Sequence, residues 1–512
     1  MKKSFNPFLP LNEYIPDGEP HVFGDRVYLF GSHDREGGNK YCELGDYVVY
    51  SAPITDLSDW RYEGVIYKAK QDPFAKDDSQ LYAPDVVRGN DGRYYLYYNL
   101  IGGTLEGDSP ISVSPISVAV CDTPAGKYEY YGYVRNPDGS PLRRFITADP
   151  AVINDNGVIR LYYGWSLSSK AAEAHGHKSD QAAQDLPPEV LRERLIEAQM
   201  MLFNKSREEI LSEPDGIVMG AYTVTLADDM LTITSEPVRI IPGEFSAKGT
   251  SFEGHAFYEA SSIRKVGNLY YFIYSSQLSH ELCYAVSKYP DKGFTFGGTI
   301  ISNGDVGYRG RKEEDRLNMT GNNHGSIEYI NGQWYIFYHR HTHRSTYSRQ
   351  ACAEPIIILP DGSIPQVEMT SCGLNGGPLP AEGEYPAAIA CNLSNGAMPH
   401  ITNRKIDSDI PFITHGDDER YITNIKQNTR IGFKYFAFDG PCVLKVVTRG
   451  KGNGSFTVSA NEKEVGVIPL SSSEIWSESS TVVDIRGTVA LYFTYNGSGE
   501  AEFLSFRFED KS

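Results

Sequence analysis

The sequence predicts an all-β protein, in which a five-bladed β-propeller with a helical insertion precedes a β-sandwich of the jelly-roll type. The 512 residues include 35 Tyr, 23 Phe, 49 Gly and 29 Pro, which is typical of aromatic strands joined by tight turns. A turn followed by an aromatic strand recurs five times between residues 24 and 339. Short alternating strands without helical periodicity follow after residue 375.

The recurring unit starts at a Gly, Asn or Asp turn and continues into a strand rich in Tyr and Phe. Its five copies are GDRVYLFGS, NDGRYYLYYN, NDNGVIRLYYG, GNLYYFIYS and NGQWYIFYH. The equivalent points, at spacings of 67, 65, 111 and 64 residues, are Tyr28, Tyr95, Arg160, Tyr271 and Tyr335. A propeller blade of four strands needs at least about 40–50 residues. The spacing therefore predicts five blades within residues 1–375, one of them enlarged.

The enlarged repeat contains a helical insertion at about residues 167–213. Asp185 is expected to cap the first helix, because an Asp side chain accepts free N–H groups and two prolines follow it. One apolar face of that helix comprises Leu191, Leu195, Ala198 and Leu202. Ser206 and Glu209 predict a capping box for a second, short helix. The insertion is either a lid over the active face or a surface decoration.

Residues 376–512 are predicted to form the β-sandwich. A Gly- and Pro-rich stretch at 371–388 marks the boundary with the propeller. Alternating patterns predict strands at 430–438, 442–450, 454–460, 490–495 and 501–508. We expect this domain to pack on the propeller as a structural partner rather than to anchor the protein to a polysaccharide.

Charge and hydropathy exclude several classes of partner. The formal net charge of −18 argues against nucleic acid, and no apolar run is long enough for a transmembrane helix. The N-terminal stretch MKKSFNPFLPLNEYIPDGEP has no apolar core of a secretory signal, so we expect a cytoplasmic location. The seven cysteines are scattered, and we expect them to be reduced. The oligomeric state stays open.

Each repeat carries one polar residue about a strand and a turn before its aromatic strand. These residues, 10 to 12 positions before the equivalent points, are Asp17, Asp85, Asp149, Glu259 and His324. The innermost strands of propeller blades face one channel, so the five side chains are expected to converge. Buried carboxylates cost several kcal/mol unless they pair or bind something. Convergent carboxylates without a metal-ligand cluster indicate glycoside hydrolysis, which needs one protonated and one ionised carboxyl group.

The segments around these residues resemble glycoside hydrolase family 43 over residues 5 to 370. They are IPDGEPHVFGDRVYLFGSHD, YAPDVVRGNDGRYYLYYN, ADPAVINDNGVIRLYYGWS, FYEASSIRKVGNLYYFIYSS and NNHGSIEYINGQWYIFYHR. The resemblance implies a five-bladed propeller that releases terminal α-L-arabinofuranosyl or β-D-xylosyl residues from oligosaccharides by an inverting route. It implies no required cofactor. The C-terminal part resembles, more loosely, the carbohydrate-binding β-sandwich modules attached to such enzymes.

The resemblance also implies catalytic roles. Asp17 falls on the general base, and Asp85, in APD, falls on the residue that orients the acid and tunes its pKa. Glu259 falls on the general acid, six residues before Lys265. The usual Asp-Pro step of the first blade is replaced by Asp-Gly, and Glu19 follows it, so Glu19 stays an alternative base.

Three further residues have roles implied by the same resemblance, and Trp165 is a candidate because of its position directly after YYG. Asp149 contacts substrate or the water shell of an ion, and His324 lies below the substrate near a central ion. A structural calcium ion in the channel would meet His324 only through water, since calcium prefers oxygen ligands. Arg349 reaches the substrate pocket or pairs with a carboxylate. Trp165 stacks on a sugar ring or fills the core.

Three alternatives to an exo-acting glycosidase stay open. The first is a non-catalytic sugar-binding propeller, and the second is an endo-acting arabinanase or xylanase. A metal-dependent hydrolase is a third reading, because His339, His341 and His343 alternate and share one face of a strand. No Asp or Cys follows that run at ligand spacing, which disfavours a zinc site there.

Overall fold

The computed structural model describes residues 4–102, 115–174 and 187–510. Five antiparallel sheets follow one another in the chain, four of them with four strands and the last with three.

Blade 1 consists of β1 (Glu19–Phe23), β2 (Arg26–Phe30), β3 (Asp46–Pro53) and β4 (Arg61–Lys68). Blade 2 consists of β5 (Gln80–Arg88), β6 (Tyr94–Ile101), β7 (Ser117–Cys121) and β8 (Glu129–Tyr133). Blade 3 consists of β9 (Ala151–Asp155), β10 (Val158–Trp165), β11 (Gly220–Leu226) and β12 (Val238–Pro242). Blade 4 consists of β13 (Phe257–Val266), β14 (Leu269–Ser276), β15 (Glu281–Ser287) and β16 (Thr295–Ser302). Blade 5 consists of β17 (Ile327–Ile330), β18 (Gln333–His341) and β19 (Arg349–Ile356).

The aromatic strand of each repeat is the second strand of its blade, as the sequence predicts. These strands are rich in large side chains because neighbouring blades cover both of their faces. In β6, for example, six consecutive residues from Tyr95 to Leu100 are buried. The five repeats thus form the five blades of a β-propeller.

Contacts join the first strand of each blade to that of the next. Around the channel they are His21–Asp85, Asp85–Val152, Asp149–Ala260, Ser262–Ser326 and the backbone bridge Gly18–Gly325. The last contact links blade 1 to blade 5. The polar side chains of the first strands therefore face a common channel.

Among the described residues of the insertion, three helices interrupt blade 3: α1 (Ser169–Ala174), α2 (Pro188–Phe203) and α3 (Arg207–Leu211). The hydroxyl of Ser206 caps α3 by accepting from the N–H of Glu209 at 3.0 Å. The Glu209 carboxylate accepts from the N–H of Phe145 instead of completing a capping box. Pro187 occupies the N-cap of α2. Asp185 and the side chain of Leu191 lie outside the described residues.

The inward face of α2 differs in part from the predicted one. Ile196 and Gln199 are buried, whereas Leu195, Ala198 and Leu202 are half-buried. Gln199 is held inside because its side chain bonds two backbone groups, the carbonyl of Gly216 and the N–H of Val218.

Two six-stranded sheets form the β-sandwich. The first has the order β20 (Leu379–Pro380), β25 (Arg430–Phe438), β30 (Gly487–Ser498), β27 (Asn453–Ala460) and β28 (Lys463–Leu470), with β22 (Asn392–Ser394) beside β25. The second has the order β23 (Phe412–His415), β24 (Arg420–Ile425), β31 (Ala501–Asp510), β26 (Pro441–Gly450) and β29 (Ser473–Asp484), with β21 (Gly383–Pro386) beside β31. Rings from both sheets fill the core between them, among them Phe433, Phe456, Phe493, Phe503 and Phe506. Short 3-10 helices lie at Ala69–Gln71, Glu244–Ser246, Tyr308–Gly310, Glu313–Asp315, Gly373–Asn375 and Ala387–Ile389.

Buried charged groups join the sandwich to the propeller. The Lys434 ammonium lies 2.7 Å from Glu368 Oε2 and 3.1 Å from Asp305 Oδ2. The Arg340 guanidinium donates to two backbone carbonyls near the start of the sandwich, those of residues 388 and 390. Tyr421 and Tyr495, two aromatics that a sugar-binding platform could have used, are buried.

The seven cysteines are all unpaired, and all but Cys121 are buried. Within the described ranges, no helix combines the length and the apolar character needed to span a membrane.

Candidate active site

A pocket lies where the channel opens between the blades. Six residues singled out from the sequence line it: Asp17, Asp149, Trp165, Glu259, His324 and Arg349. Asp85 does not line it. Three carboxyl groups from blades 1, 3 and 4 and an imidazole, four of the five side chains that the repeat singled out, thus meet here with the guanidinium of Arg349.

Glu259 is the carboxyl group whose pKa the site changes most clearly. Burial, then the negative charge of Asp149 and, to a smaller extent, that of Asp17 together raise the pKa to about 8. The indole N–H of Trp165 donates to Glu259 Oε2 at 3.2 Å and acts in the opposite direction. Glu259 is therefore protonated at neutral pH, the state that a general acid needs.

The negative charge of Asp17 is balanced by a positively charged neighbour. Arg349 Nη1 donates to Asp17 Oδ1 at 2.9 Å, while its Nε and Nη2 bind both oxygens of Asp34 at 2.8 and 3.0 Å. The backbone N–H of Asp17 points to His339 Nδ1 at 3.5 Å. The left-handed backbone of Asp17, with φ of 58°, turns the chain at the pocket before β1 begins.

Asp149, just before β9 of blade 3, contacts β13 of blade 4, the strand that carries the general-acid candidate Glu259. Its backbone is also left-handed, with φ of 46°. Asp149 Oδ2 accepts from the N–H of Ala260, the residue after Glu259, at 2.8 Å. Burial raises the pKa of Asp149 as well. Of the charged groups near Glu259, Asp149 has the largest effect on its pKa.

The assignment of Asp85 to the pocket is wrong, because the strand register places Asp85 one step deeper. Asp85 pairs with Tyr97, just as Glu19 pairs with Phe30 in blade 1 and Ala151 with Tyr162 in blade 3. Ala83, with φ of 34°, occupies the blade 2 position that corresponds to Asp17 and Asp149, and it lines the pocket. Tyr95 pairs with the residue eight positions before it, whereas Tyr28 and Arg160 pair with residues seven positions before them. The first turn of blade 2 is thus one residue longer, so counting along the chain selects the wrong position.

Asp85 and Glu19 belong to a deeper level of the channel. Asp85 Oδ1 bonds His21 Nε2 at 2.7 Å, and its Oδ2 accepts from the N–H of Val152 at 2.7 Å. Glu19 Oε2 lies 3.0 Å from Arg264 Nη2. Both carboxylates thus have partners below the pocket, so Glu19 is not placed to act as a base there.

Trp165 and Arg349 each combine the two roles considered for them. Trp165 lines the pocket, but its ring also packs on Phe203 of α2, with centroids 5.7 Å apart. Arg349 lines the pocket while paired to carboxylates, and its guanidinium lies over the ring of Tyr41. His324 Nδ1 lies 3.8 Å from Asp17 Oδ1. The helical insertion therefore supports the indole that bonds Glu259.

Several pocket residues lie outside the repeat, and sequence reasoning missed them. Tyr41 follows blade 1 strand β2, whereas Thr402 and Asn403 precede β23 of the sandwich. The N–H of Asn403 donates to the Tyr41 hydroxyl at 3.4 Å. No periodic pattern marks such loop residues.

The histidine run of β18 does not converge on one site. His339 Nε2 bonds the backbone carbonyl of Asn322 at 2.9 Å, and His341 Nε2 bonds the Oδ1 of the same residue at 3.2 Å. Burial lowers the pKa of each, to about 3 for His341. His343 instead contacts His415 in the sandwich. His339 thus supports the Asp17 backbone, and the three imidazoles of the run do not meet at one point.

One family model and one relative of known name match this chain over long stretches. The sequence model of Glycosyl hydrolases family 43 matches residues 6–193. A "Xylosidase/arabinosidase" of Thermoclostridium stercorarium is 48% identical over 99% of this chain and 98% of its own length. The chain belongs to glycoside hydrolase family 43.

Other members of family 43 are more distant. "Xylosidase/arabinosidase 43A" of Humicola insolens is 29% identical over 64% of this chain and 88% of its own length. A crystal structure of a family 43 arabinoxylan arabinofuranohydrolase from Bacillus subtilis has 18% identity, covers 99% of this chain and 97% of its own, and gives a TM-score of 0.47. Family membership confirms that the protein is a glycosidase.

Proposed function

We propose that this family 43 enzyme releases terminal α-L-arabinofuranosyl or β-D-xylosyl residues from oligosaccharides by an inverting mechanism. The observation that carries the proposal is that one pocket holds both a protonated carboxyl group, Glu259, and a carboxylate that is paired with a positive charge, Asp17. The pKa of Glu259 is raised to about 8, whereas Asp17 is bound by the Arg349 guanidinium. The names of the relatives support xylose- or arabinose-containing substrates.

In the proposed reaction, Glu259 donates its proton to the oxygen of the leaving group. Asp17 removes a proton from the water that attacks the anomeric carbon from the opposite face of the sugar. Asp149 keeps the acid protonated through its negative charge, the role that the resemblance implied for Asp85. The single displacement needs room for water between acid and base, about 6.5–9.5 Å between the carboxyl groups.

We propose exo action because the pocket wall includes residues from outside the blades. Thr402 and Asn403 approach from the sandwich side and Tyr41 from blade 1, beside the acid and the base. A pocket enclosed in this way suits the end of a sugar chain, whereas an endo-acting enzyme needs a groove that is open at both ends.

A panel of nitrophenyl glycosides tests the function. Turnover of the α-L-arabinofuranoside or β-D-xyloside, with none of a β-D-glucoside control, is expected, and proton NMR should show the inverted anomer forming first. Binding of these sugars without turnover would support the non-catalytic alternative. Release of oligosaccharides rather than single pentoses from linear arabinan or xylan would instead identify an endo-acting enzyme.

A channel calcium ion stays a proposal without a catalytic role. Calcium takes six to eight oxygen ligands, yet Arg264 and His21 already bind the channel carboxylates Glu19 and Asp85. Glu19 Oε1 is the one channel carboxylate oxygen of the described residues that is buried without a hydrogen-bond partner. An ion near His324 would therefore be surrounded mainly by water, and no step of the mechanism depends on it.

A further inference from the structure

Three potential metal ligands meet between the propeller and the sandwich, outside the pocket. Glu36 lies in the loop after β2, His343 lies just after β18, and His415 is the last residue of β23. His343 Nε2 is 2.8 Å from His415 Nδ1, which lies 3.7 Å from Glu36 Oε1. The ligand atoms of all three lie within 4.8 Å of one another.

Neighbouring groups orient these ligands. The hydroxyl of Thr342 donates to the carbonyl of Ser348 at 3.3 Å and lies 2.8 Å from His343 Nδ1, so it accepts the proton of that nitrogen. This arrangement leaves the lone pair of His343 Nε2 facing His415. Arg420 binds both oxygens of Glu36, at 3.1 and 2.6 Å. Metal-ligating imidazoles and carboxylates are usually held by outer hydrogen bonds of this kind.

The two permanent cations that face the cluster are already engaged. Lys405 donates to the carbonyl of Gly37 at 2.6 Å and to Asn39 Oδ1 at 2.9 Å. Arg420 is bound to the carboxylate of the cluster. Their donors therefore point at other acceptors rather than at the ligand nitrogens.

We propose that His343, His415 and Glu36 bind one divalent transition-metal ion of the zinc class, with water completing the coordination. Two imidazoles and a carboxylate with a water match the ligand set and tetrahedral preference of zinc. At Zn–N distances of about 2.0–2.1 Å, two ligand nitrogens lie about 3.3 Å apart. The imidazoles would move apart by about 0.5 Å, and the N–H proton of His415 would move from Nδ1 to Nε2 so that Nδ1 can bind the ion. The His415 side chain is 39% exposed, so the ion has a path from solvent.

The ion would tie the pocket wall to the sandwich. The loop from Glu36 leads to Tyr41, and the segment from His343 leads to Arg349, both of which line the pocket. The third ligand, His415, belongs to the sandwich. The metal would thus stabilise the junction, while the acid and the base stay independent of it.

Titration of the full-length, chelator-treated protein with ZnCl2 in a calorimeter tests the proposal. We expect one zinc ion per chain and a Tm that rises with zinc concentration. MgCl2 at the same concentrations should leave Tm unchanged.

The variants His415→Asn and His343→Asn should each weaken zinc binding at least tenfold. Asn is suited to position 343 because it tolerates the left-handed backbone there, where φ is 56°. His255→Asn is the matched control, since His255 is half-exposed and bonded to Glu281 beside Cys283. The metal-free Tm and circular dichroism of each variant establish that it is folded.

If His415→Asn disturbs the fold, Glu36→Gln provides the second test, because it keeps the shape of the side chain and removes one charge. It should also weaken zinc binding. Absence of stoichiometric binding by the parent protein would overturn the proposal. So would unchanged affinity in the cluster variants, or loss of binding in His255→Asn alone.

Discussion

Replacing Asp149 with Asn should shift the pH range in which the enzyme is active. Asn keeps an oxygen that can accept from the Ala260 N–H at the 2.8 Å contact, so the geometry is preserved. The substitution removes the negative charge that, after burial, does most to raise the pKa of Glu259 from 4.5 to about 8. The acid should therefore lose its proton at lower pH.

The magnitude follows from the usual effect of a nearby charge. A close charged neighbour changes a pKa by roughly 1–3, so the basic limb of kcat/KM should move down by about 1 pH unit or more. For a move from pH 8 to pH 7, the protonated fraction at pH 7.5 falls about threefold. Activity below about pH 6 should change much less, because Glu259 is then protonated in both proteins.

The assay must use a substrate that needs protonation of its leaving group, such as xylobiose or arabinobiose. Asp85→Asn is the matched control, since it makes the same chemical change one step deeper in the channel, where Asp85 bonds His21. Its basic limb should stay near that of the parent, and any structural damage should appear in Tm. An unchanged limb in Asp149→Asn, or an equal shift in Asp85→Asn, would refute the reasoning.

Four further outcomes are expected. Glu259→Ala should lose about 10²–10⁴-fold activity on natural glycosides but much less on aryl glycosides with acidic phenols. Asp17→Ala should be inactive on both kinds of substrate. Equal losses of activity on the two kinds of substrate for Glu259→Ala would argue against its acid role. Trp165→Phe removes a hydrogen bond that lowers the pKa of Glu259, so its basic limb should move to higher pH, and a move to lower pH would contradict this. Lys434→Met leaves the buried carboxylate of Asp305 and the half-buried one of Glu368 without their cation, and urea unfolding should show a loss of about 3–5 kcal/mol. A loss below 1 kcal/mol would contradict the structural role of these ion pairs. Residues 1–375 expressed alone should be insoluble or have a much lower Tm and little activity, and a soluble, fully active fragment would show that the sandwich is dispensable.

The sequence alone determined the fold class and most of the candidate site. The five aromatic strands each carry a turn signal and a run of β-forming residues. Both are local properties, so they can be recognised without knowing which strands lie beside them in the fold. The same repeat placed Asp17, Asp149, Glu259 and His324 in one pocket, because equivalent positions on inner strands converge by the symmetry of a propeller.

Only the tertiary structure decided which carboxylate acts on Glu259. The turn before the aromatic strand is one residue longer in blade 2 than in blades 1 and 3, and the register places Asp85 below the pocket and Ala83 at the rim. Register depends on how two strands pair, so residue counting along the chain cannot establish it. The approach of Thr402 and Asn403 to the pocket, and of His415 to His343, depends on how the sandwich packs on the blades. Such contacts between distant loops have no period in the sequence, because loop side chains are placed by the packing of the elements that carry them.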